Sequence, residues 1–376
     1  MVIGNKSSIY RDASNIETLL YSEGGTKMPK IIVVGFYGEG RTVSDGQINK
    51  VRDYYKYISA HFGNNLVRRV DIGKYKQRPC STFFDLLKSF LWCNKTVLLL
   101  TGDGNGIKTI FPFINRFSKI IHKELLFSVV GGGLLNNIDS KPSLIRRLKM
   151  VGAVYVETKI MKEELEKRGL TNIYYAPVFS KRKGIETDDV IDNFHEPLRI
   201  CTYARVIKEK GISDAIDAVI EVNKRLGRLA CILDIYGNPV GDYADEFNKK
   251  LEIAGDCIKC NPLLDDTNAI NELSKHYLLL FPTYYEGEGF PIALIESMKA
   301  GLPVIATDWH FNSEIIDDGR TGVIYKRDGV VNLSDIILEL ISDKERVLNM
   351  RIECVNESKK YDPNEILNDL YVRLEK

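Results

Sequence analysis

Long uncharged apolar runs are missing from this chain of 376 residues; the best candidate, 83–100, is broken by Asp85, Lys88 and Lys95. A spanning helix needs about 20 predominantly apolar residues, so none is expected. The opening MVIGNKSSIYRDASN has no basic stretch leading into an apolar one, and no secretory signal is read there. Cysteine is irregular, with seven residues at 80, 93, 201, 231, 257, 260 and 354, which is unlike a disulfide framework. The CxxC of Cys257 and Cys260 has neither a second pair nor histidines at ligand spacing, so no metal site is expected from it. The expected compartment is the cytoplasm.

Net charge is also nearly absent, at +1, yet the total conceals an asymmetry. Residues 1–190 hold 30 Lys+Arg against 18 Asp+Glu, and residues 191–376 hold 22 against 33. A basic half suits an anionic partner. Its cations are interleaved with apolar residues in NRFSKIIHK (115–123) and SLIRRLKM (143–150), a mixture suited to an anionic membrane surface and peripheral association with it. Nucleic acid is not an expected partner, because no helix-turn-helix, zinc finger or aromatic single-strand platform is readable.

A hydrophobic content of 44% with 10% aromatics is an ordinary globular composition. At about 150 residues per domain the length predicts two domains. Residues 1–28 read as a polar tail. KIIVVG (30–35) is a β-branched run of the kind buried on both faces of a parallel sheet, and it enters the glycine-rich turn GFYGEGRTVSDGQ. TVLLLT (96–101), LLFSVV (125–130) and AVYVE (153–157) continue an alternation of strands and helices. The polar stretch 182–197 reads as a linker, after which LRICTY (198–203), ACILDIY (230–236), LLLFP (278–282) and PVIAT (303–307) repeat the plan. Asp362-Pro363 opens a final amphipathic helix, Asp suiting the N-cap and Pro the first turn. The expected architecture is α/β: a domain over 29–181, another over 198–361, both Rossmann-like and doubly wound, and a helix 362–376 returning to the first.

The chemistry concentrates in PTYYEGEGFPIALIESMKAGLPVIATD (282–308). A helix starting near Pro291 and stopped by Gly301 aims free amides at Gly289, Phe290 and Ile292 together with the positive end of its dipole, which suits a phosphate. Glu288 in the loop and Glu296, with seven residues between them, would accept hydrogen bonds from sugar and ribose hydroxyls. Glu286 competes with Glu288 for that role. Arg205 and Lys210, in ARVIKEKG after the first strand of the second domain, read as a diphosphate clamp. Gly38, Gly40 and Arg41 in the first loop can approach a phosphate across the cleft. The turn GFYGEG lacks the close-spaced GxGxxG of dinucleotide enzymes.

These motifs, with DIYG (234–237), resemble the C-terminal domain of retaining glycosyltransferases of family four, whose fold is called GT-B. More weakly, TGDGNGIKTIFPF, SVVGGGLL and YVETKIMKEELEKRGLTNIYYAPVF resemble the N-terminal half of bacterial members that build capsular, exopolysaccharide or O-antigen chains. The resemblance implies two Rossmann-like domains facing each other across a cleft. It implies metal-independent transfer, with retention, of a hexose-type sugar from a nucleotide-diphosphate donor, UDP or GDP type, to a saccharide acceptor, lipid-linked in such pathways. No further cofactor is expected. Arg205 and Lys210 would then stabilise the leaving diphosphate, Glu288 would hold the donor sugar, Glu296 the ribose, and Gly289, Phe290 and Pro291 would line the phosphate. Cys260 and Asn261 fall where the family meets the nucleotide base. Glu314 corresponds to a donor-site glutamate, although WHFNSE lacks the usual preceding glycine pair. Many relatives carry a histidine where this chain reads VVGGGLL. Two alternatives stay open: a nucleotide-sugar-binding GT-B protein without turnover, and a nucleotide-sugar epimerase or phosphorylase.

Overall fold

The computed structural model describes residues 29–38, 46–73, 75–102 and 104–375. The first domain runs β1 (Ile31–Gly35), α1 (Gly46–Phe62), β2 (Val67–Asp71), α2 (Pro79–Trp92), β3 (Thr96–Thr101) and α3 (Phe111–Ile120). It continues through β4 (Glu124–Val129), α4 (Leu134–Ser140), α5 (Ser143–Leu148), β5 (Ala153–Val156), α6 (Lys159–Lys167) and β6 (Ile173–Tyr175). Its six strands are parallel in the order β2-β1-β3-β4-β5-β6. Every residue of β1 and β3 is buried, as a sheet covered by helices on both faces requires. The edge strands β2 and β6 carry no continuous apolar run, and for that reason the sequence alone did not announce them. In VRRVD the two arginines face solvent and only the valines are buried.

The second domain begins with β7 (Leu198–Tyr203), α7 (Ile212–Leu226), β8 (Cys231–Tyr236), α8 (Tyr243–Ala254), β9 (Ile258–Asn261), α9 (Ala269–Leu273) and β10 (Leu278–Phe281). Then come α10 (Ile292–Lys299), β11 (Val304–Thr307), α11 (Asn312–Ile315), β12 (Gly322–Tyr325), α12 (Leu333–Ser342), α13 (Lys344–Ser358) and α14 (Pro363–Glu375). The sheet order β12-β11-β10-β7-β8-β9 is that of a doubly wound nucleotide-binding fold, with its switch point between β7 and β10. In the first sheet the switch lies between β1 and β3. A ligand crevice forms outside the carboxyl ends of strands at such a point, and each of the two sheets brings one to the cleft.

Two features tie the halves together. Leu367, Leu370, Tyr371 and Leu374 of α14 are buried in the same apolar cluster as Ile31, Val33, Tyr54 and Ile58, so the chain's last helix completes the first domain's core. Each such side chain contributes about 1.5–3 kcal/mol of burial. The second feature is Glu314, whose carboxylate accepts the backbone N–H groups of Lys159 and Ile160 at 2.6 and 3.1 Å. An acidic group of the second domain thereby caps the amino end of α6 in the first.

Candidate active site

A cavity of about 850 Å³ opens between the domains. Its second-domain wall begins where β7 ends: Arg205 follows the strand, and Lys210 closes a single 3-10 turn before α7. Gly211, at φ +69°, makes the sharp entry into that helix, and a Cβ there would come within 2.1 Å of the Pro282 carbonyl oxygen. That close approach draws Lys210 against the loop after β10, where its ammonium pairs with the Glu288 carboxylate. Lys210 is buried and Glu288 half-buried, and Glu288 also accepts the Thr283 hydroxyl at 3.0 Å. The loop is pinned by Trp309 Nε1 on the Tyr285 carbonyl at 2.9 Å and by the Tyr284 amide on the Glu209 carbonyl at 2.8 Å. Arg205 is exposed, with its guanidinium 5.3 Å from the Tyr285 ring centre, and among the described residues it has no carboxylate partner. Gly289, Phe290, Pro291, Ile292 and Ala293 complete this wall at the start of α10.

The first-domain wall is made of residues that the sequence reading did not single out as site residues. Gln47, Lys50 and the adjacent Asp53 and Tyr54 line the cavity from α1, the successive positions lying three to four residues on from Gln47 and from Lys50, as one face of a helix requires. The Lys50 ammonium is buried, donates to Glu157 Oε1 at 2.6 Å and to the Val129 carbonyl at 2.8 Å, and lies 5.3 Å from the Tyr54 ring centre. Burial works to lower the Lys50 pKa, but Glu157 and Tyr54 outweigh it and the net shift is upward, so this ammonium stays charged. Glu157 follows β5 directly and accepts the Gly131 amide at 2.9 Å, fixing the Gly131–Gly133 loop. The two walls meet there: a Cβ on Gly289 would lie 3.8 Å from the Gly131 Cα. A signal for Glu157 existed in the sequence, namely a carboxylate ending the apolar run AVYV.

Other named residues stand elsewhere. Glu286 is 86% exposed and turned toward His310, which leaves Glu288 as the glutamate of the cleft. Glu296 is buried behind the cavity, where its carboxylate takes the Ser180 hydroxyl at 3.0 Å, the Tyr203 hydroxyl at 3.2 Å and the Arg182 guanidinium. Burial raises the Glu296 pKa, with Arg182, Ser180 and Tyr203 opposing. Through its hydroxyl, Tyr203 links this group to the cavity lining. The Asn261 side-chain amide donates to Asp234 Oδ1 at 3.0 Å, and Asn261 does not line the cavity. Gly38, at φ +65°, packs on Ile48 and does not line the cavity. Gly40 and Arg41 lie outside the described residues.

One wall of the cavity thus carries Arg205, Lys210 and the amino end of α10, and the other carries the Lys50–Glu157 pair and glycine backbone. Residues 184–360 match the family described as glycosyl transferases group 1. The amylovoran biosynthesis glycosyltransferase AmsK of Erwinia amylovora is 29% identical over 171 residues, 42% of this chain and 40% of its own. A GDP-mannose-dependent alpha-(1-6)-phosphatidylinositol monomannoside mannosyltransferase of Mycobacterium tuberculosis is 26% identical over 164 residues, 41% of this chain and 40% of its own. The chain spans between 24% and 47% of the length of the first curated relatives it matches. In fold it is similar to Anabaena Alr3699/HepE, solved in complex with UDP, with TM-score 0.65 and 14% identity over 92% of this chain and 99% of that one. Sheet order and cleft accord with the fold of these solved structures, and residues 184–360 are similar to the group 1 glycosyl transferases, within a chain of GT-B fold.

Proposed function

We propose that this protein transfers a hexose-type sugar from a nucleoside-diphosphate sugar to a saccharide acceptor, in the assembly of a bacterial surface polysaccharide. The observation that carries the reading is the convergence of Arg205, Lys210 and Glu288 beside the amino end of α10. In this reading Arg205 and Lys210 hold the donor diphosphate and stabilise the departing nucleoside diphosphate, electrostatic work that a metal performs in other enzymes. Glu288, oriented by Lys210 and Thr283, takes hydroxyls of the donor sugar, while the amides of 289–293 meet phosphate oxygens. On the second-domain wall the lining carboxylate, Glu288, is engaged by Lys210, which favours retention through a front-face substitution. The departing phosphate then accepts the proton of the attacking hydroxyl. Glu296 reaches the ribose once Arg182 yields its place. The likeness to structures holding UDP, and to relatives named for amylovoran and for GDP-mannose, supports a nucleotide-sugar donor of UDP or GDP type.

Peripheral docking on an anionic membrane belongs to the same reading. Among the described residues no helix is long and apolar enough to cross a membrane. Exposed Phe83, Phe84 and Leu91 on α2 and Phe113 and Ile120 on α3 stand among the exposed cations Lys88, Arg116 and Lys119. Such a mixture suits an interface rather than bulk water.

Thermal unfolding with UDP, GDP, ADP, CDP and NAD in turn tests the donor site, since a ligand at ~100 times its Kd adds about 2.7 kcal/mol to stability. One nucleoside diphosphate should stabilise the protein, and Arg205→Ala with Lys210→Ala should abolish that gain. Stabilisation by none of them, or by NAD alone, sinks the transferase reading and favours a cleft that is not a working donor site.

A further inference from the structure

On the first-domain wall, Asp53 differs from every other acidic residue of the cleft. Glu288 is paired with Lys210 and Glu157 with Lys50, but among the described residues nothing donates a hydrogen bond to the Asp53 carboxylate or forms an ion pair with it. It is half-buried, and it stands one helical turn beyond Lys50 on the same face of α1. The nearby charges that act on it are Lys181, Lys56 and Asp266, and Lys181 is itself 3.2 Å from Asp266. Next to it, the Tyr54 hydroxyl is buried without a partner, although the residue lines the cavity. An unpaired carboxylate and an unsatisfied phenol in a half-buried wall are costly unless something brings them partners. Burial is also the main influence raising the Asp53 pKa, with Lys181 and Lys56 opposing it.

The charges of the cleft are therefore divided. Arg205 and Lys210 against Glu288 leave the second-domain wall positive; Lys50 against Glu157 and Asp53 leaves the first negative. A phosphate monoester carries roughly −1.5 to −2 at neutral pH, and beside a carboxylate to which no cation is bonded it is repelled. A neutral sugar ring instead offers hydroxyl donors to that carboxylate, and acceptors to the remaining N–H of Lys50.

We propose that Asp53, supported by Lys50 and Glu157, selects the reacting end of the acceptor: a neutral sugar hydroxyl is admitted and a phosphate-bearing end is turned away. The inference rests on the transferase reading and deepens it, naming the class of acceptor. Any lipid anchor then lies beyond the sugar that reacts. The step that supplies this substrate must be an earlier glycosyl transfer that leaves a neutral sugar at the growing end.

Saturation-transfer NMR on wild type and Asp53→Asn reads this directly. The probes are the methyl glycosides of glucose, galactose, mannose and N-acetylglucosamine and the matching sugar 1-phosphates. Each protein is first saturated with its most stabilising nucleoside diphosphate, so that Arg205 and Lys210 are occupied. Wild type should hold at least one glycoside about tenfold or more tighter than its phosphate, and Asp53→Asn should close the gap to about threefold as the phosphate gains. Equal binding of glycoside and phosphate by wild type, an unchanged gap in the variant, or no glycoside binding would overturn the proposal. Because Asp53 lies at the cleft surface, the variant should melt with the wild type. If no nucleotide stabilises the protein, the donor reading fails by itself, and the glycoside-to-phosphate ratio is still read on the free protein.

Discussion

Removing Arg182 should expose how much of the domain junction rests on one buried pair. Its guanidinium reaches Glu296 and the Tyr203 hydroxyl, and the side-chain exposures of Arg182 and Glu296 are 12% and 4%. The second arm, to Asp266 at 2.6 Å, ends on a side chain that is 66% exposed and adds little. In Arg182→Met the Glu296 carboxylate keeps only the Ser180 and Tyr203 hydroxyls, which it already has. Breaking a buried pair by removing one partner costs about 3–5 kcal/mol; the partial exposure of Arg182 points to the lower end, about 3 kcal/mol at pH 7. Arg182→Met with Glu296→Gln removes both charges and should recover about 2 kcal/mol of that loss. The pH dependence has a definite sign. A carboxyl whose folded pKa lies above its unfolded value of about 4.3 costs stability as pH rises through that window, so the Arg182→Met deficit should be smaller at pH 4.5 than at pH 7. Urea titrations of the four proteins of the cycle, followed by circular dichroism, give these numbers. A loss under about 1 kcal/mol, or a double variant no better than Arg182→Met alone, would refute the idea that Arg182 neutralises a buried Glu296.

Further outcomes follow from the same structure. Burial works to raise the pKa of Asp234, but His276, Arg199 at 2.9 Å and Asn261 at 3.0 Å hold it well below the usual carboxylate range. Its contribution is present above the unfolded value of about 3.9 and is lost as pH falls through the lower folded value, so the Asp234→Asn deficit of about 2 kcal/mol at pH 6 should shrink below about pH 4; an undiminished deficit at pH 3 would contradict this. Sedimentation with vesicles of phosphatidylcholine and about 30% phosphatidylglycerol should show binding that falls with salt and is reduced in Phe83→Ser with Phe84→Ser. Binding by that variant equal to the wild type would move the docking surface off α2.

The fold and one wall of the site could be read in the residues themselves, because both are local in origin. Apolar runs such as IIVVG and TVLLLT specify buried parallel strands, and the turns after them lie at the carboxyl end of a sheet whatever the rest of the chain does. Arg205 and Lys210, and likewise Glu288 and the residues to Pro291, are near neighbours in sequence, held by a single turn or helix start. The other wall is not made of near neighbours in sequence, and the carboxylate that ends AVYV marks Glu157 without naming its partner. Lys50 and Glu157 are 107 residues apart, and Arg182 and Glu296 are 114 apart, so each pair exists only once the sheet order and the return of the linker across α10 have brought distant elements together. A lysine in a helix reads as a solvated residue until the strand beside it is known; Lys50 faces inward because α1 packs over the ends of β4 and β5. The same holds for Glu296, Asn261 and Glu314, whose hydrogen bonds to Arg182, Asp234 and the amino end of α6 depend on packing rather than on motif. Local pattern was enough for the layered architecture and the cationic wall, whereas the second wall and the partner of each buried charge were decided by contacts between segments that no periodicity connects.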